Sequence, residues 1–222
     1  ALPILDAICG GGFPRKRVTE IWGLPSVGKS HLLGKCMAAI EGKVLYVDSE
    51  FALNKARLTA LGVNLDKVDY LANSQLEKVT EHILEHLTDY DLIIIDTLAK
   101  LTPMTIEENE VGANAIGLFA RQVAHFEAKL RPKLYASETA IVAISQARAN
   151  FGMGMAETKP SSTFAWKHTI DLSLKLTKGA NNKLYKQTDG VRREIGHVVT
   201  VKIEKNKMGP PGQTATFPVE YY

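Results

Sequence analysis

The chain has 222 residues, 45% of them hydrophobic and 23% charged, and a formal net charge of +3. That much apolar material builds a full core without staples, which excludes a disordered tail protein and a disulfide mini-scaffold. No apolar run approaches the roughly 20 residues of a membrane helix, and no basic-apolar leader opens the chain, so neither a membrane span nor secretion is expected. Two cysteines, Cys9 and Cys36, form no framework and suit free thiols in a reducing cytosol. His82 and His86 stand four apart on an expected helix, but no third ligand accompanies them.

Residues 18–22 read as a short strand running into Gly23, and a helix is expected to start near Gly28 and end before Gly42. Residues 43–48 form a buried-strand run, and 51–61 have helical spacing up to Gly62. Ser74, Gln75, Leu76 and Glu77 have the form of a capping box, opening a helix to about Leu87. Residues 92–95 are four consecutive apolar side chains between Asp91 and Asp96, the pattern of a strand covered on both faces of a parallel sheet. A polar stretch over 102–114 precedes a long helix, about 115–130, stopped by Pro132.

Residues 139–145 are another buried strand. Residues 148–163, rich in Gly, Met and Ser, read as a loop of the length that is usually functional. The chain then changes character: 170–176, 197–205 and 214–219 alternate apolar and polar residues as antiparallel strands do, and 209–212 is a Gly-Pro-Pro-Gly turn. Strand–helix alternation followed by hairpins predicts one α/β domain spanning 1–222, with a mostly parallel twisted sheet flanked by helices and antiparallel C-terminal strands.

The sharpest local signal is Gly23-Leu24-Pro25-Ser26-Val27-Gly28-Lys29-Ser30, a full match to G-x-x-x-x-G-K-[ST] between an expected strand and an expected helix. Glycines there let backbone N–H groups turn toward an anion, and the helix N-terminus adds its dipole. Lys29 is placed to neutralise β- and γ-phosphates and Ser30 to ligate Mg²⁺, with His31 next in the same cradle; ATP and Mg²⁺ are the implied cofactors. Asp96, at the end of an apolar strand, is the expected acidic partner of the Mg²⁺. Glu50, just past another strand, is a candidate to deprotonate the attacking water, with Asp48 its rival. Between Lys175 and Lys207, nine basic residues face three acidic ones, a local +6 suited to a phosphate backbone or to a solvated hairpin.

With these pieces placed, the chain resembles the RecA/RadA family of DNA recombinases. The resemblance runs from Leu5 to Pro218 and is carried by 10–23, the phosphate loop, 47–53, Ile94-Ile95-Asp96-Thr97, Ala143 to Arg148 with its Ser145-Gln146, and Lys205-Asn206-Lys207. It implies a RecA-like core in which Glu50 activates water and Gln146 senses the γ-phosphate. Lys205 and Lys207 would act in trans on a neighbouring subunit's ATP. Residues 102–115 and 147–163 correspond to two DNA-binding loops, Arg121 and Arg148 to phosphate contacts, and Ile116 and Phe151 to apolar wedges between nucleotide steps. Phe164 resembles an interface residue, and Arg57 stands where an aromatic often stacks on adenine.

Against the family, the core begins almost at Ala1 and stops at Tyr222. The expectation is therefore a core without the family's N-terminal oligomerisation segment or C-terminal DNA-gathering domain, resembling minimal phage-encoded recombinase and annealing proteins. The implied activity is a DNA-dependent ATPase that binds single-stranded DNA, and duplex DNA during pairing, and self-associates into a helical filament. It would work in the cytoplasm, or that of a host. The alternatives are an annealing or accessory module with little turnover, a ring-shaped helicase-type motor of the same core, and a P-loop ATPase with no DNA role.

Overall fold

The architecture is that of a computed structural model, which describes residues 3–104, 114–150, 157–160, 164–188 and 190–221. The elements run α1 (Pro3–Cys9), β1 (Val18–Gly23), α2 (Lys29–Ala38), β2 (Val44–Asp48), α3 (Lys55–Ala60), β3 (Val68–Ala72), α4 (Leu76–His86) and β4 (Leu92–Asp96). They continue with α5 (Asn114–Ala136), β5 (Ala140–Asn150), β6 (Glu157–Pro160), α6 (Phe164–Thr169), β7 (Leu172–Thr188), β8 (Val191–Asn206) and β9 (Thr214–Glu220). One sheet holds them in the order β3-β2-β4-β5-β1-β7-β8-β9, with β6 paired to β5. The first six strands of that order are parallel, and β8 and β9 extend the sheet antiparallel, as expected; residues 172–176, expected in an antiparallel strand, instead run parallel to β1 and are antiparallel to β8.

The consecutive apolar runs follow from burial on both faces. In β4, Leu92 and Ile94 point into one core, shared with α1 and α2, while Ile93 and Ile95 point into the other, beneath α4 and α5. The neighbouring strands divide likewise, Val44 and Tyr46 against Leu45 and Val47, and Val142 and Ile144 against Ile141 and Ala143. No polar face is left to alternate, so the pattern is a run.

Several expectations need correcting. The helix expected over 51–61 is only Lys55–Ala60: Asn54 caps it by accepting from Arg57 N, and Phe51 sits at φ 55°, which no helix accommodates. Residues 74–77 do not form a capping box. The cap position is Gln75, whose side chain makes no cap bond, Leu76 N donates to the Thr102 carbonyl, and Glu77 accepts from Met104 N. Pro132 does not stop α5, which runs on to Ala136 because Leu130 and Leu134 are both buried in the core. A proline removes one N–H from a ladder, and tertiary packing outweighs that loss here. Part of the loop expected over 148–163 is instead a ribbon, β5 continuing to Asn150 and pairing antiparallel with β6. The edge strand β3, α1 and α6 were not expected.

No described helix is long and apolar enough to cross a membrane. Both thiols are free; burial pushes Cys36 up to about 12 and Cys9 up to about 11, so neither is a ready nucleophile.

Candidate functional site

Parallel strands end together, and the order β2-β4-β5-β1 sets two aspartates, a glutamine and a glycine side by side. Asp48 pairs with Asp96 in register, and Gly23 with Gln146. In an open parallel sheet this row of carboxyl ends is where ligands bind. A cavity of about 260 Å³ opens there, and its lining includes Lys29, Ser30, Glu50, Arg57, Asp96 and Gln146.

The loop from Gly23 to Gly28 is shaped by its neighbours. A Cβ on Gly23 would come within 2.5 Å of the Leu176 carbonyl, and one on Gly28 within 2.7 Å of Val219 Cγ2. Gly28, at φ 112°, also sets the left-handed turn from which α2 departs. Leu24, Pro25 and Ser26 are exposed, and Val27 is buried. Lys29 Nζ donates to the carbonyls of Gly23 and Leu24 at 3.1 and 2.9 Å. Burial lowers its pKa, while Asp96 and Glu50 pull it back up. His31 is buried directly behind the loop, and burial with the positive charges of Arg57 and Lys35 lowers it to about 4, so it is neutral at ordinary pH.

The acids divide their labour. Asp48 accepts from the backbone N–H of Glu50 and Leu53 and from the Tyr70 hydroxyl, so its oxygens hold the turn after β2. Glu50, the next acid, lines the cavity, and its Oε1 accepts from Gln146 Nε2 at 2.9 Å. Ser49 pins this turn to β4: its N–H donates to the Asp96 carbonyl, its hydroxyl to the Thr97 carbonyl at 2.7 Å, and it accepts from Thr97 N. Asp96 accepts from the Tyr46 hydroxyl at 2.6 Å. Burial pushes Asp96 up to about 6, with Glu50 and Asp48 adding to the rise and the Tyr46 bond opposing it.

The chemistry of this set suits a phosphate-bearing ligand with a hard cation. Gly28, in the left-handed region, turns the chain into α2 with no side chain to strike buried Val219. Backbone N–H groups and Lys29 offer positive partners, and the Ser30 hydroxyl and Asp96 carboxylate are oxygen donors of the kind Mg²⁺ takes. A cation beside Asp96 would also relieve the strain of ionising a buried carboxylate crowded by two others.

Lys205 and Lys207 are not at this cavity. Lys205 pairs with Ser173, at the start of β7, whereas the phosphate loop meets Leu176 further along the same strand. Lys205 Nζ donates to the Lys167 carbonyl at 2.7 Å, and Lys207 Nζ to the His168 carbonyl at 3.0 Å. Lys207 also pairs with Asp171 at 3.1 Å. Burial and the neighbouring cations Lys207 and Arg131 lower the Lys205 pKa.

Arg121 is exposed on α5. Ile116, Arg148 and Phe164 have their backbones in α5, β5 and α6, with side chains outside the described residues, and Phe151 lies outside them altogether. Most of 102–115 lies outside them too.

Sequence reasoning missed Tyr46, Ser49 and Tyr70, which hold the acids, and the ion cluster of Arg131, Asp171 and Lys207. Tyr46 and Tyr70 did carry a signal: both are tyrosines in strands beside Asp48, and a tyrosine hydroxyl near a sheet end seeks an acceptor.

The model of the RecA N-terminal domain matches residues 1–222. Proteins named Protein RecA are similar along nearly the whole chain. That of Aquifex pyrophilus is 32% identical over 98% of this chain and 63% of its own length. Those of Borrelia duttonii and Borreliella afzelii are 34% and 35% identical, over 96% and 94% of this chain and 59% and 58% of theirs. The chain thus spans about three fifths of the length of these relatives. The match over 1–222, and a sheet whose carboxyl ends carry the phosphate loop and its acids, show that the chain belongs to the RecA family of recombinases.

Proposed function

We propose that this chain is the motor core of a DNA-dependent ATPase that binds single-stranded DNA, self-associates along it and promotes strand pairing. The observation that carries this reading is the hydrogen bond from Gln146 to Glu50, because it joins the cavity to the strand leading into 147–163. ATP, with Mg²⁺ on Ser30 and Asp96, supplies the phosphoryl group and the charge neutralisation of its transfer. Lys29 and the loop N–H groups bind and orient the phosphates. Glu50 accepts a proton from the attacking water. Gln146 has one carboxamide to share between Glu50 and a terminal phosphate oxygen. Drawing it toward the phosphate would free Glu50 and shift β5, and with it the segment proposed to meet DNA.

Arg57 lines the cavity and is exposed, which supports its stacking on a base. Arg121 and Arg148 would contact phosphates, and Ile116 and Phe151 would enter between nucleotide steps. The basic β7–β8 hairpin adds sequence-independent attraction. Phe164, Lys205 and Lys207 belong to the face that meets the next subunit, so the site is complete only between neighbours. The whole span 1–222 works as one unit in the cytoplasm.

ATP hydrolysis measured with and without single-stranded DNA, across a protein concentration series, tests this. A DNA-stimulated rate that rises faster than linearly with protein is expected. A flat, DNA-blind rate would sink the reading.

A further inference from the structure

His197 lies on β8 with 2% of its surface exposed. Its Nε2 stands 3.3 Å from the Val27 carbonyl in the phosphate loop, and its Nδ1 3.2 Å from the Tyr221 hydroxyl. A carbonyl only accepts, so Nε2 carries the hydrogen and donates it, and in that tautomer Nδ1 accepts a hydrogen bond from the Tyr221 hydroxyl. That hydroxyl has a second suitor, Glu194 Oε1 at 3.4 Å, and only one proton to give. Glu194 is itself held through Oε2 by Lys183 Nζ at 2.7 Å. Val27, His197, Tyr221, Glu194 and Lys183 thus form a continuous polar chain from the phosphate loop to the β7–β8 hairpin.

The far end of that chain is exposed and basic: Lys178, Lys183, Lys186, Arg192 and Arg193 all face water. The near end is tightly packed, since Val219, two residues before Tyr221, is the side chain that a Cβ on Gly28 would strike. Whatever moves the end of β9 is therefore felt by the loop.

We propose that these residues are a relay by which a phosphodiester polyanion on the hairpin loosens the phosphate loop. A polyanion that draws Lys183 away leaves Glu194 without its cation, and Glu194 then claims the Tyr221 proton. His197 loses the donor that fixed its ring, and Val27 loses a rigid partner. His197 is a positioning residue here, acting on the loop through Val27. The relay rests on the reading that the hairpin face meets nucleic acid.

Amide hydrogen exchange over residues 24–30 of the full chain, without nucleotide and with or without a 30-mer of oligo-dT, tests it. In the parent chain the oligonucleotide raises exchange threefold or more. Tyr221→Phe, which deletes only the proton, and His197→Gln, which keeps a donor for Val27 but loses Nδ1, start at the raised rate and do not respond. Glu194→Gln keeps the low rate and does not respond either, because a neutral amide does not outbid His197 for the proton. The Tyr221→Phe chain binds the oligonucleotide within twofold of the parent, which shows it folded. If the oligonucleotide binds but leaves the parent's loop unchanged, or Tyr221→Phe responds like the parent, the relay is wrong while the nucleic-acid reading stands. If the oligonucleotide does not bind the parent at low salt, both fall.

Discussion

Gln146 Nε2 donates to Glu50 Oε1 at 2.9 Å, across 96 positions of sequence. Gln146 lies within β5, level with the end of β1, and Glu50 just past β2, with β4 between them, and the turn carrying Glu50 is tied to β4 through Ser49. The carboxylate is therefore held at two points, by its backbone and by one amide. An amide that restrains a general base in one state can release it in another, which makes the pair a candidate for the step linking nucleotide to DNA.

Glu50→Gln keeps the size and loses the base. ATP turnover is expected to fall by about 10²–10⁴-fold, the usual worth of a positioned general base, while nucleotide binding stays within a few-fold. Gln146→Ala is expected to leave basal turnover nearer the parent's and to abolish its stimulation by single-stranded DNA. A steady-state assay beside a binding titration separates the two. Equal basal losses in both variants would mean that Gln146 serves the chemistry and not the coupling.

The phosphate loop gives a backbone prediction. Gly28 and Gly62 both have positive φ, 112° and 89°, but a Cβ at Gly28 meets Val219 at 2.7 Å and one at Gly62 meets only Ala38 at 3.9 Å. Gly62→Ala carries the conformational cost alone, about 1–2 kcal/mol. Gly28→Ala carries that cost and the clash with a buried valine, and is expected to lower the melting temperature further and to remove nucleotide binding. Equal shifts in thermal unfolding would show that β9 yields easily and does not shape the loop.

How much of this was legible depends on distance in sequence. The phosphate loop was legible in its Gly-Lys-Ser spacing, Asp96 and Glu50 because they stand at or just past the ends of apolar runs, which announce parallel strands when buried on both faces, and Gln146 through the family resemblance alone. The strand β3 was missed because it is an edge: Asp69, Tyr70 and Ala72 are exposed, so it has no buried face to mark it. Helix spacing over 51–61 misled because the carboxylate of Asp48 captures the N–H groups of Glu50 and Leu53, a local competition that periodicity does not register. Pro132 misled because its effect on α5 was outweighed by Leu130 and Leu134. Asp171, His197 and Tyr221 were silent because their partners lie on other strands and helices, up to 170 positions away in the case of His197 and Val27.

Asp171 yields a stability prediction with a definite pH dependence. Its side chain is 3% exposed and pairs with Arg131 at 2.9 Å and Lys207 at 3.1 Å while accepting from Val18 N. Burial alone would raise its pKa, but the Val18 N–H and the two cations outweigh burial and hold it below the usual carboxylate range. The contribution is therefore complete above the ordinary aspartate value of about 4 and is lost as pH falls through the lowered folded value. Asp171→Ala is expected to cost about 3 kcal/mol at neutral pH, the low end for breaking a buried pair, because Arg131 and Lys207 keep access to water. Denaturant unfolding of both chains from pH 7 to 2 checks this, and a difference that does not shrink in acid would contradict it.

The same cluster decides how Lys205 and Lys207 act. Both lie at the end of β8, beside the start of β7, held by the carbonyls of Lys167 and His168, while the phosphate loop lies beyond the other end of the parallel β1–β7 pairing. A lysine side chain reaches only about 6 Å, less than the rise of the intervening strand at roughly 3.3 Å per residue, so neither lysine serves its own subunit's cavity. If they serve a neighbour's, each site draws Glu50 from one subunit and the lysines from the next. Glu50→Gln alone and the Lys205→Ala, Lys207→Ala double variant alone are then both inactive in DNA-stimulated hydrolysis. Mixed together on single-stranded DNA, they rebuild intact sites wherever a lysine-bearing subunit faces an intact Glu50. In a random equal mixture about a quarter of the junctions qualify, and roughly that share of the parent rate is expected, since a partner's cation is worth about 10³–10⁵ in phosphoryl transfer. A mixture no more active than its components would place the two lysines outside the chemistry, leaving them as the partners of Asp171 and the α6 carbonyls alone.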